Sequence, residues 1–314
     1  MPLKKLSLVP GVNREKTSYS AETGWYDCDK IRFRQKFPEK IGGWQRISNN
    51  VFQGVCRSLW AWRTIAGQKI TGVGTHLKFY LEVGGSYYDV TPVRATTTNA
   101  ATFAATNGST TLTVTDNSHG ALVGDFVTFS SAASLGGVIT AAILNAEHQI
   151  VSITSANVYT ITSSIAANAS DSGNGGAATD AAYQIHVGSS IELPIVGWGA
   201  GTWGNGADSA TTLRLWDQSN FGQDLVFGYR GGPVYYWSAT NGVSSGSADL
   251  GVLLSSLTDA SDVPTIQNVI IVSDINRFVF CFGANTLGTT TQDPMLIRWS
   301  DQENAVNWTP SATN

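Results

Sequence analysis

The sequence predicts an all-β protein built from propeller-like blades, with a small β-barrel or sandwich domain inserted between them. Three observations support this fold class. Short runs of aromatic and β-branched residues are bounded by Gly, Pro and Asn, which is typical of strands joined by tight turns. A pattern of such runs recurs with a period of about 60 residues, which is typical of propeller blades. The chain has 33 glycines and only 13% charged residues, which favours a glycine-turned, aromatic-packed β protein.

The clearest copy of the repeat spans residues 213–238, LRLWDQSNFGQDLVFGYRGGPVYYWS. Turn-forming residues at 220–222 and 230–233 divide this segment into three apolar runs, so it predicts three antiparallel strands. A single small sheet of this kind has an apolar face that it cannot bury alone. The copies are therefore expected to stack on one another.

Two further copies are visible, at residues 55–92 and 269–300. A Pro…Trp-Ser motif occurs at 233–238 and again at 294–300, with its tryptophans 62 positions apart. Three copies are fewer than the four to eight blades of a closed propeller, so we expect either further copies beyond this sequence or packing against other chains. An ordinary β-sandwich with accidental internal similarity is the alternative.

The repeat also predicts which residues occupy equivalent positions in the three sheets. The tryptophans Trp60, Trp216 and Trp299 should lie at equivalent or near-equivalent positions. A second set should be Phe79, Tyr235 and Ile297.

The domain boundaries follow a change in composition. Residues 95–190 are rich in Ala, Thr, Ser, Asn and Gly and contain no Trp, Lys or Arg, yet they carry five short β runs. We assign residues 1–54 to an N-terminal arm with a basic strand, 55–94 and 195–314 to the blade domain, and 95–190 to an inserted small β domain. An insertion at a loop tip leaves the host fold intact, because the ends of a loop already lie close together.

Charge is divided unevenly along the chain. Residues 1–46 hold ten of the 19 Lys and Arg residues and five acidic ones, whereas the remainder holds nine basic and 18 acidic residues. In the basic part, Lys30 to Lys36 alternates between charged and apolar side chains, which predicts a strand with Arg32, Arg34 and Lys36 on one face. We predict that this face binds an acidic surface of a partner, or nucleic acid. A solvated edge strand whose charges discourage aggregation is the alternative.

The sequence contains no recognisable pattern for catalysis or cofactor binding. It has no phosphate-binding loop, nucleophile elbow or zinc-protease motif, and its four His and three Cys lack metal-ligand spacing. We therefore predict no catalytic residue, no cofactor and no metal. Asp301 and Trp308 weakly resemble the Asp-box turn of sialidase propellers, but the glycine and the short spacing of that motif are missing. We interpret Asp301 as a turn former after a strand.

Several segments together resemble tail proteins of short-tailed bacteriophages, and more narrowly the tail nozzle or tail tubular protein B (packaged-DNA stabilisation type). The resemblance covers residues 8–94 and 195–314 but not the insert. The segments that carry it are PGVNREKTSY, WYDCDKIRFRQKFPEKIGGWQ, GWGAGTWG, LRLWDQSNFGQDLVFGYRGGPVYYW and LIRWSDQENAVNWTPSATN.

This resemblance implies a structural virion protein of the tail, not an enzyme, that is assembled in the cytoplasm of a host bacterium. Proteins of this family are similar in having a β-propeller and small β insertions, and six copies ring the DNA exit channel below the portal and adaptor. The expected partners are other copies of the chain, adaptor subunits, and tail fibres or spikes. Genomic DNA is expected to pass through without specific binding, and no membrane insertion is expected.

Two other functions are compatible with the sequence. The first is a receptor- or glycan-binding tail protein whose Thr/Ser-rich insert touches glycans, which predicts an exposed aromatic patch. The second is a propeller hydrolase, which predicts converging carboxylates at the centre of the blades.

Overall fold

The computed structural model describes residues 9–15, 17, 19–20, 23–43, 46, 48–189, 213–244, 247–248 and 250–311. The GWGAGTWG segment and most of the extreme N-terminus lie outside these residues. Within them, the regular structure is almost entirely β-strand, which confirms the all-β prediction. Residues 1–49 and 50–314 form two compact units. No helix in the described part of the chain is long and apolar enough to cross a membrane.

The first unit contains a β-hairpin, in which β1 (Ile31–Arg34) pairs antiparallel with β2 (Phe37–Lys40). The turn residues Gln35 and Lys36 have φ values of 50° and 74°. These values lie in the left-handed region, which strand residues do not adopt. The basic strand is therefore shorter than predicted, and Lys36 belongs to the turn instead of the strand face.

The second unit begins with sheet A, which corresponds to the first copy of the repeat. Its four strands are antiparallel and adjacent in chain order. They are β3 (Cys56–Arg63), β4 (Lys69–Thr75), β5 (Phe79–Val83) and β6 (Ser86–Asp89).

The barrel sheet follows sheet A and contains eight antiparallel strands in the order β13-β8-β9-β12-β11-β10-β14-β7. Its elements are β7 (Val93–Thr97), β8 (Thr102–Ala105), β9 (Thr111–Thr115), β10 (Phe126–Ser130), α1 (Ala141–Leu144), β11 (Glu147–Ser155), β12 (Val158–Thr162), β13 (Asp171–Asn174) and β14 (Asp180–Gln184). The chain enters through β7 and leaves through β14, which are hydrogen-bonded neighbours with Val93 opposite Gln184.

The barrel sheet is rolled and not flat. β7 lies at one end of the strand order and β8 is second from the other end, yet only residues 98–101 join Thr97 to Thr102. In a flat sheet these strands would lie six spacings apart, about 29 Å at a spacing of ~4.8 Å. The connecting chain reaches only ~18 Å. The sheet therefore curls around its own hydrophobic core, which includes Phe103 and Tyr159.

Two further sheets complete the second unit. Sheet B consists of β15 (Trp216–Phe221), β16 (Asp224–Tyr229), β17 (Tyr235–Trp237) and, after a short hairpin of β18 (Val243–Ser244) and β19 (Ser247–Ala248), β20 (Val252–Leu253). Sheet C consists of β21 (Val269–Val272), β22 (Val279–Phe282) and β23 (Ile297–Trp299). In both sheets, as in sheet A, neighbouring strands are antiparallel and follow chain order.

One predicted set of equivalent positions is found and the other is not. Phe79, Tyr235 and Ile297 each lie on the third strand of their sheet, as the repeat predicts.

The predicted equivalence of the three tryptophans is wrong for Trp299. Trp60 and Trp216 lie on first strands, whereas Trp299 lies on the third strand of sheet C. Its counterpart in sheet B is Trp237, which ends β17. The Pro…Trp-Ser motif therefore marks third strands, and the aromatic residues of first strands belong to a different position of the repeat.

Sheets A, B and C pack face to face, and the contacts between them involve the first strands. β15 contacts β3 and β4 on one side and β21 on the other. Glycine makes the close approach possible, because a Cβ on Gly74 would lie 2.6 Å from the ring of Trp216, and one on Gly228 would lie 3.0 Å from Ile270. The Trp216 indole also donates a hydrogen bond to the carbonyl of Thr75, at 2.6 Å.

The stack buries one hydrophobic cluster between sheets A and B and another between B and C. Ile185, although inside the segment 95–190, packs in the cluster between A and B. The described residues contain three such stacked sheets and no closed ring, so closure into a propeller stays a prediction.

Candidate interaction surfaces

The basic hairpin of the first unit presents two of the three predicted partner-binding residues on one face. Arg32 and Arg34 both lie on β1 with exposed side chains. Glu39 on β2 accepts a hydrogen bond from Nε of Arg32 at 3.1 Å, and this contact raises the pKa of the arginine. Lys36 stands apart in the turn, and neither it nor Arg34 forms an ion pair within the described residues of this unit. Of the three predicted residues, Arg34 and Lys36 are therefore the ones without an ion pair among the described residues, and Lys40 on β2 is a further exposed cation of the hairpin.

A buried ion cluster joins sheet A to the barrel sheet. Lys78 follows β4, and its side chain is 2% exposed. Its ammonium lies 2.5 Å from Oδ2 of Asp89, forms an ion pair with Glu147 on β11, and lies 4.4 Å from the ring centroid of Phe126. Gln184 donates a second hydrogen bond to Glu147, at 2.9 Å. The cluster satisfies a buried cation and fixes the barrel sheet to the stack.

A second polar contact lies where the chain leaves the barrel sheet. Asp125 is fully buried and accepts hydrogen bonds from Nδ1 of His186 at 2.7 Å and from the backbone N–H groups of Leu122 and Val187. Burial alone would raise the pKa of Asp125, but the hydrogen bonds from His186, Leu122 and Val187 outweigh it and lower the pKa. The carboxylate thus stays charged and holds the turn before β10 against the end of β14.

Arg214 extends this contact to sheet B. It is only 8% exposed, it donates to the carbonyl of His186, and its guanidinium lies 4.3 Å from the ring centroid of Tyr229. Burial lowers its pKa. A cavity of about 280 Å³ adjoins this region and is lined in part by His186, Tyr229, Tyr235 and Arg94. The contacts of Asp125, His186 and Arg214 position the barrel sheet, whereas Nη1 of Arg214 and Nε of Arg94 are buried without a hydrogen-bond partner among the described residues.

The outer face of sheet C is apolar and exposed. β21 and β22 of this sheet are apolar on both faces, and their inner face is buried against sheet B. Ile271, Ile297 and Trp299 on the outer face are 44–49% exposed. Two cross-strand rows make up this face, Val269-Phe282-Ile297 and Ile271-Phe280-Trp299. A sheet that is apolar on both faces is typical of one covered on both sides, and contiguous patches of this kind mark interaction sites.

The opposite end of the stack is a different surface. On the outer face of sheet A, Phe52 contacts the rings of Tyr80 and Tyr87, at centroid distances of 6.2 and 5.2 Å. Beside this contact, Leu59 on β3 is 65% exposed, and Ala61 is also exposed. The two ends of the stack therefore expose apolar residues on unlike surfaces.

The aromatic residues of the barrel sheet are buried. Its Phe and Tyr residues in the described range 93–187 are all buried, namely Phe103, Phe126, Phe129, Tyr159 and Tyr183. Tyr183 donates to Asp116 at 2.7 Å and lies 3.0 Å from the hydroxyl of Tyr159, so even the phenol groups face inward. The large exposed apolar residues of this range are aliphatic, for example Ile165. This surface does not offer an aromatic platform for sugar rings.

Two carboxylates of the described residues, Asp89 and Glu147, converge, and both are paired with Lys78. No group of His, Cys, Asp and Glu in the described ranges is arranged to hold a metal ion. Burial raises the pKa of Asp217 on β15, while Arg230 lowers it, and this carboxyl has no second acid beside it among the same residues. The backbone carbonyl of Asp301 accepts from Asn304, and its side chain accepts from Gln302 at 3.0 Å, which confirms its interpretation as a turn former.

Comparisons with known proteins add little. No family model matches the chain, and no curated protein matches it. Among solved structures, the chain is similar to phage phi92 endosialidase, with 15% sequence identity and a TM-score of 0.26. The similarity covers 82% of this chain and 36% of that one, so the chain spans just over a third of that protein's length. A TM-score of this size carries no argument about fold or function.

Two of these features, a buried ion pair and an apolar surface, were not predicted from the sequence. The Lys78–Glu147 pair joins residues 69 positions apart, and nothing in the local sequence connects them. The apolar face of sheet C did have a signal, because VIIV and VFCF lack the polar alternation of a strand with one solvated face.

Proposed function

We propose that this chain is a structural subunit of a bacteriophage tail, and that it forms part of the nozzle through which DNA leaves. The observation that carries the assembly role is the outer face of sheet C. This face is apolar, and four of its side chains are 38–49% exposed, so it fits a subunit of a larger assembly. The tail setting rests on the resemblance of the sequence.

The two ends of the stack support a ring of identical subunits. The outer face of sheet C and the outer face of sheet A, with Leu59 and Ala61, are different surfaces. A contact between unlike surfaces of identical subunits is head to tail, and it generates a ring when the rotation closes. We therefore propose that sheet C of one copy packs on sheet A of the next. The copy number of six comes from the resemblance.

The charge distribution supports a role as a conduit. Outside residues 1–46 the chain holds nine basic and 18 acidic residues. Each phosphate paired with Lys or Arg adds salt-dependent affinity, so a lumen poor in cations lets duplex DNA slide. The basic hairpin with Arg34 and Lys36 then faces protein partners such as the adaptor, and fibres or spikes attach elsewhere on the virion-bound ring.

The two alternative functions receive less support. A glycan-binding insert needs exposed aromatic residues, and the Phe and Tyr side chains of the described barrel sheet are buried. A hydrolase needs a pair of catalytic groups, and Asp217 stands alone among the described carboxylates with a raised pKa. We propose that the chain is not an enzyme.

The ring is tested with one substitution on the outer face of sheet C and one matched control. Ile271→Glu places a charge on this face, while Ile165→Glu places it in the loop between β12 and β13, at a residue of similar exposure, 43% against 49%. Wild-type protein and Ile165→Glu should form rings in sedimentation and electron microscopy, and Ile271→Glu should remain monomeric.

Rings that form equally well with Ile271→Glu would contradict the proposal. So would a wild-type protein that stays monomeric at every concentration tested. A second measurement addresses the conduit: free subunits should show no duplex DNA binding at physiological salt, and affinity in the micromolar range would indicate a protein that grips the genome.

A further inference from the structure

Sheet C differs from sheets A and B in the number of its strands. In sheets A and B a fourth strand, β6 or β20, pairs with the third. In sheet C the third strand is β23, and the described residues supply no strand on its other side. Among the described residues, the third strand of this sheet is therefore an edge strand.

Hydrogen bonds show which backbone groups of β23 face its neighbour β22. The N–H of Gly283 donates to the carbonyl of Leu296 at 2.9 Å, and the N–H of Ser300 donates to the carbonyl of Val279 at 2.9 Å. In an antiparallel pair, hydrogen-bonded and non-hydrogen-bonded positions alternate. Residues 296, 298 and 300 thus direct their backbone groups toward β22.

The intervening residues, Ile297 and Trp299, direct theirs away from the sheet. Their N–H and C=O groups have no hydrogen-bond partner within the described ranges, which leaves two donors and two acceptors on the open side. Their side chains are 45% and 44% exposed. An open row of this kind is a template for pairing with another strand.

A cavity of about 280 Å³ adjoins this edge and is lined mainly by apolar groups. It touches the four consecutive residues 296–299, together with Leu287, Trp308 and Pro310. Consecutive strand side chains point to opposite faces, so a cavity that touches four in a row runs along the strand edge. An apolar side chain of an added strand has room there.

The ends of the edge are acidic. The exposed Asp293 precedes β23 and Asp301 follows it. The one cation on the strand, Arg298, is turned inward, where it donates to the backbone carbonyls of Asp262 and Asn285. An added segment with basic residues at its ends is therefore complementary in charge.

We propose that the free edge of β23 binds an extended, basic segment of a protein partner by strand addition, with apolar side chains at alternate positions of that segment. A second copy of β23 fits less well. Pairing Ile297 with Trp299 of that copy would place the two Arg298 side chains directly opposite each other, and like charges in that position are destabilising. The inference does not depend on the function in a phage tail.

The test uses the full chain and an acetylated, amidated probe peptide of sequence KLTLTVK. The probe should bind, as measured by calorimetry and by the fluorescence of the exposed Trp299. Two matched probes isolate the two contributions. N-methylation of the amides that face β23 removes the backbone hydrogen bonds, and ELTLTVE reverses the flanking charges. Each change should weaken binding at least about tenfold, which corresponds to ~1.4 kcal/mol.

A pair of variants tests the edge from the protein side. Ile297→Pro removes an outward N–H and leaves the inward bonds to β22 intact, as proline does on edge strands. Ile297→Ala keeps that N–H. The proline variant should lose binding at least about tenfold relative to the alanine variant, while its thermal midpoint stays close to that of Ile297→Ala.

Three outcomes would overturn the proposal. They are no binding of KLTLTVK to the wild-type chain at about 1 mM, equal binding of the N-methylated probe, and equal binding by Ile297→Pro and Ile297→Ala. Ring formation by Ile297→Pro is measured in parallel. Failure of Ile271→Glu to disrupt the rings would contradict the ring contact and leave the strand-addition site unaffected.

Discussion

Lys78 and Glu147 form an ion pair between sheet A and the barrel sheet, although the lysine side chain is only 2% exposed. A buried ammonium must be paired, because its desolvation is unfavourable by several kcal/mol. The lysine therefore couples the folding of the turn after β4 to that of β11, which begins at Glu147.

Replacement of Lys78 by Met should lower the free energy of unfolding by about 1–3 kcal/mol, because the partly exposed carboxylates of Asp89 and Glu147 are left without their cation. Met retains the length of the side chain and its contact with Phe126. Denaturant unfolding measures the change. Lys69→Met, at an exposed position of β4, is the control and should change stability by less than about 0.5 kcal/mol. Equal effects of the two substitutions would show that the buried pair contributes nothing.

Replacement of Gly74 by Ala should destabilise the contact between sheets A and B. The added methyl would lie 2.6 Å from the Trp216 ring, which the Thr75 carbonyl holds in place. We expect a loss of about 1–3 kcal/mol, typical of overpacking, measured by thermal unfolding. Gly42→Ala is the control, since a methyl group added there would meet no atom within 4 Å. An unchanged midpoint for Gly74→Ala would mean that the sheets separate readily.

The Asp125 carboxylate should make stability depend on pH. Its folded-state pKa is lowered below the ordinary value of 3.8, so its contribution is complete above that value and is lost as the pH falls through the folded pKa. Asp125→Asn should reduce the unfolding midpoint at pH 7 and make it decline less between pH 5 and pH 2. Thermal unfolding of both proteins across that range is the measurement. Parallel curves for the two proteins would be evidence against this role.

Charge reversal in the basic hairpin should weaken assembly. Arg34→Glu changes an exposed cation without an ion pair in the described part of its unit, and it leaves the Arg32–Glu39 pair intact. Ring formation, followed by light scattering, should fall most at low salt, where charge attraction is least screened. Lys40→Glu, an exposed residue on β2, is the control. Normal assembly of Arg34→Glu would leave only the explanation that these charges protect an edge strand.

Removal of the barrel sheet should leave sheets A, B and C folded. The deletion should span residues 95–183 and be closed with a short Gly/Ser linker, because Ile185 packs between sheets A and B. Lys78→Met belongs in the same variant, since Glu147 is removed with the insert. Near-UV circular dichroism of the remaining tryptophans measures the outcome. An insoluble product would mean that the stack requires the barrel sheet.

The fold class was predictable because an internal repeat can be detected within a single sequence. Third strands were aligned correctly from Tyr235 and Ile297. Trp299 lies on a third strand but was aligned with the first-strand tryptophans Trp60 and Trp216. Tryptophan occurs on both first and third strands, and the spacing of tryptophans along the sequence does not distinguish the two strands. The end of the basic strand was misplaced because the left-handed conformation of Lys36 has no glycine or asparagine to signal it.

The barrel sheet and the interaction surfaces were predictable only in part. β13 has the sequence DSGN, which is typical of a turn, and it pairs as a strand because β8 supplies a partner. Contacts such as Lys78–Glu147 depend on tertiary structure and leave no local pattern. The edge of β23 follows from counting strands in three related sheets, which requires the hydrogen-bonding pattern of each.

The neighbouring positions of Val93 and Gln184 have a mechanical consequence. The chain enters and leaves the barrel sheet at the same end of the antiparallel pair β7 and β14. Tension along the chain would open this pair from one end, one hydrogen bond after another, instead of shearing all of its bonds at once. While the pair holds, force passes from sheet A toward sheet B without stretching the strands between. Once the β7–β14 pair opens, the strands of the barrel sheet can extend under tension. They then lengthen before the force acts on sheets A, B and C.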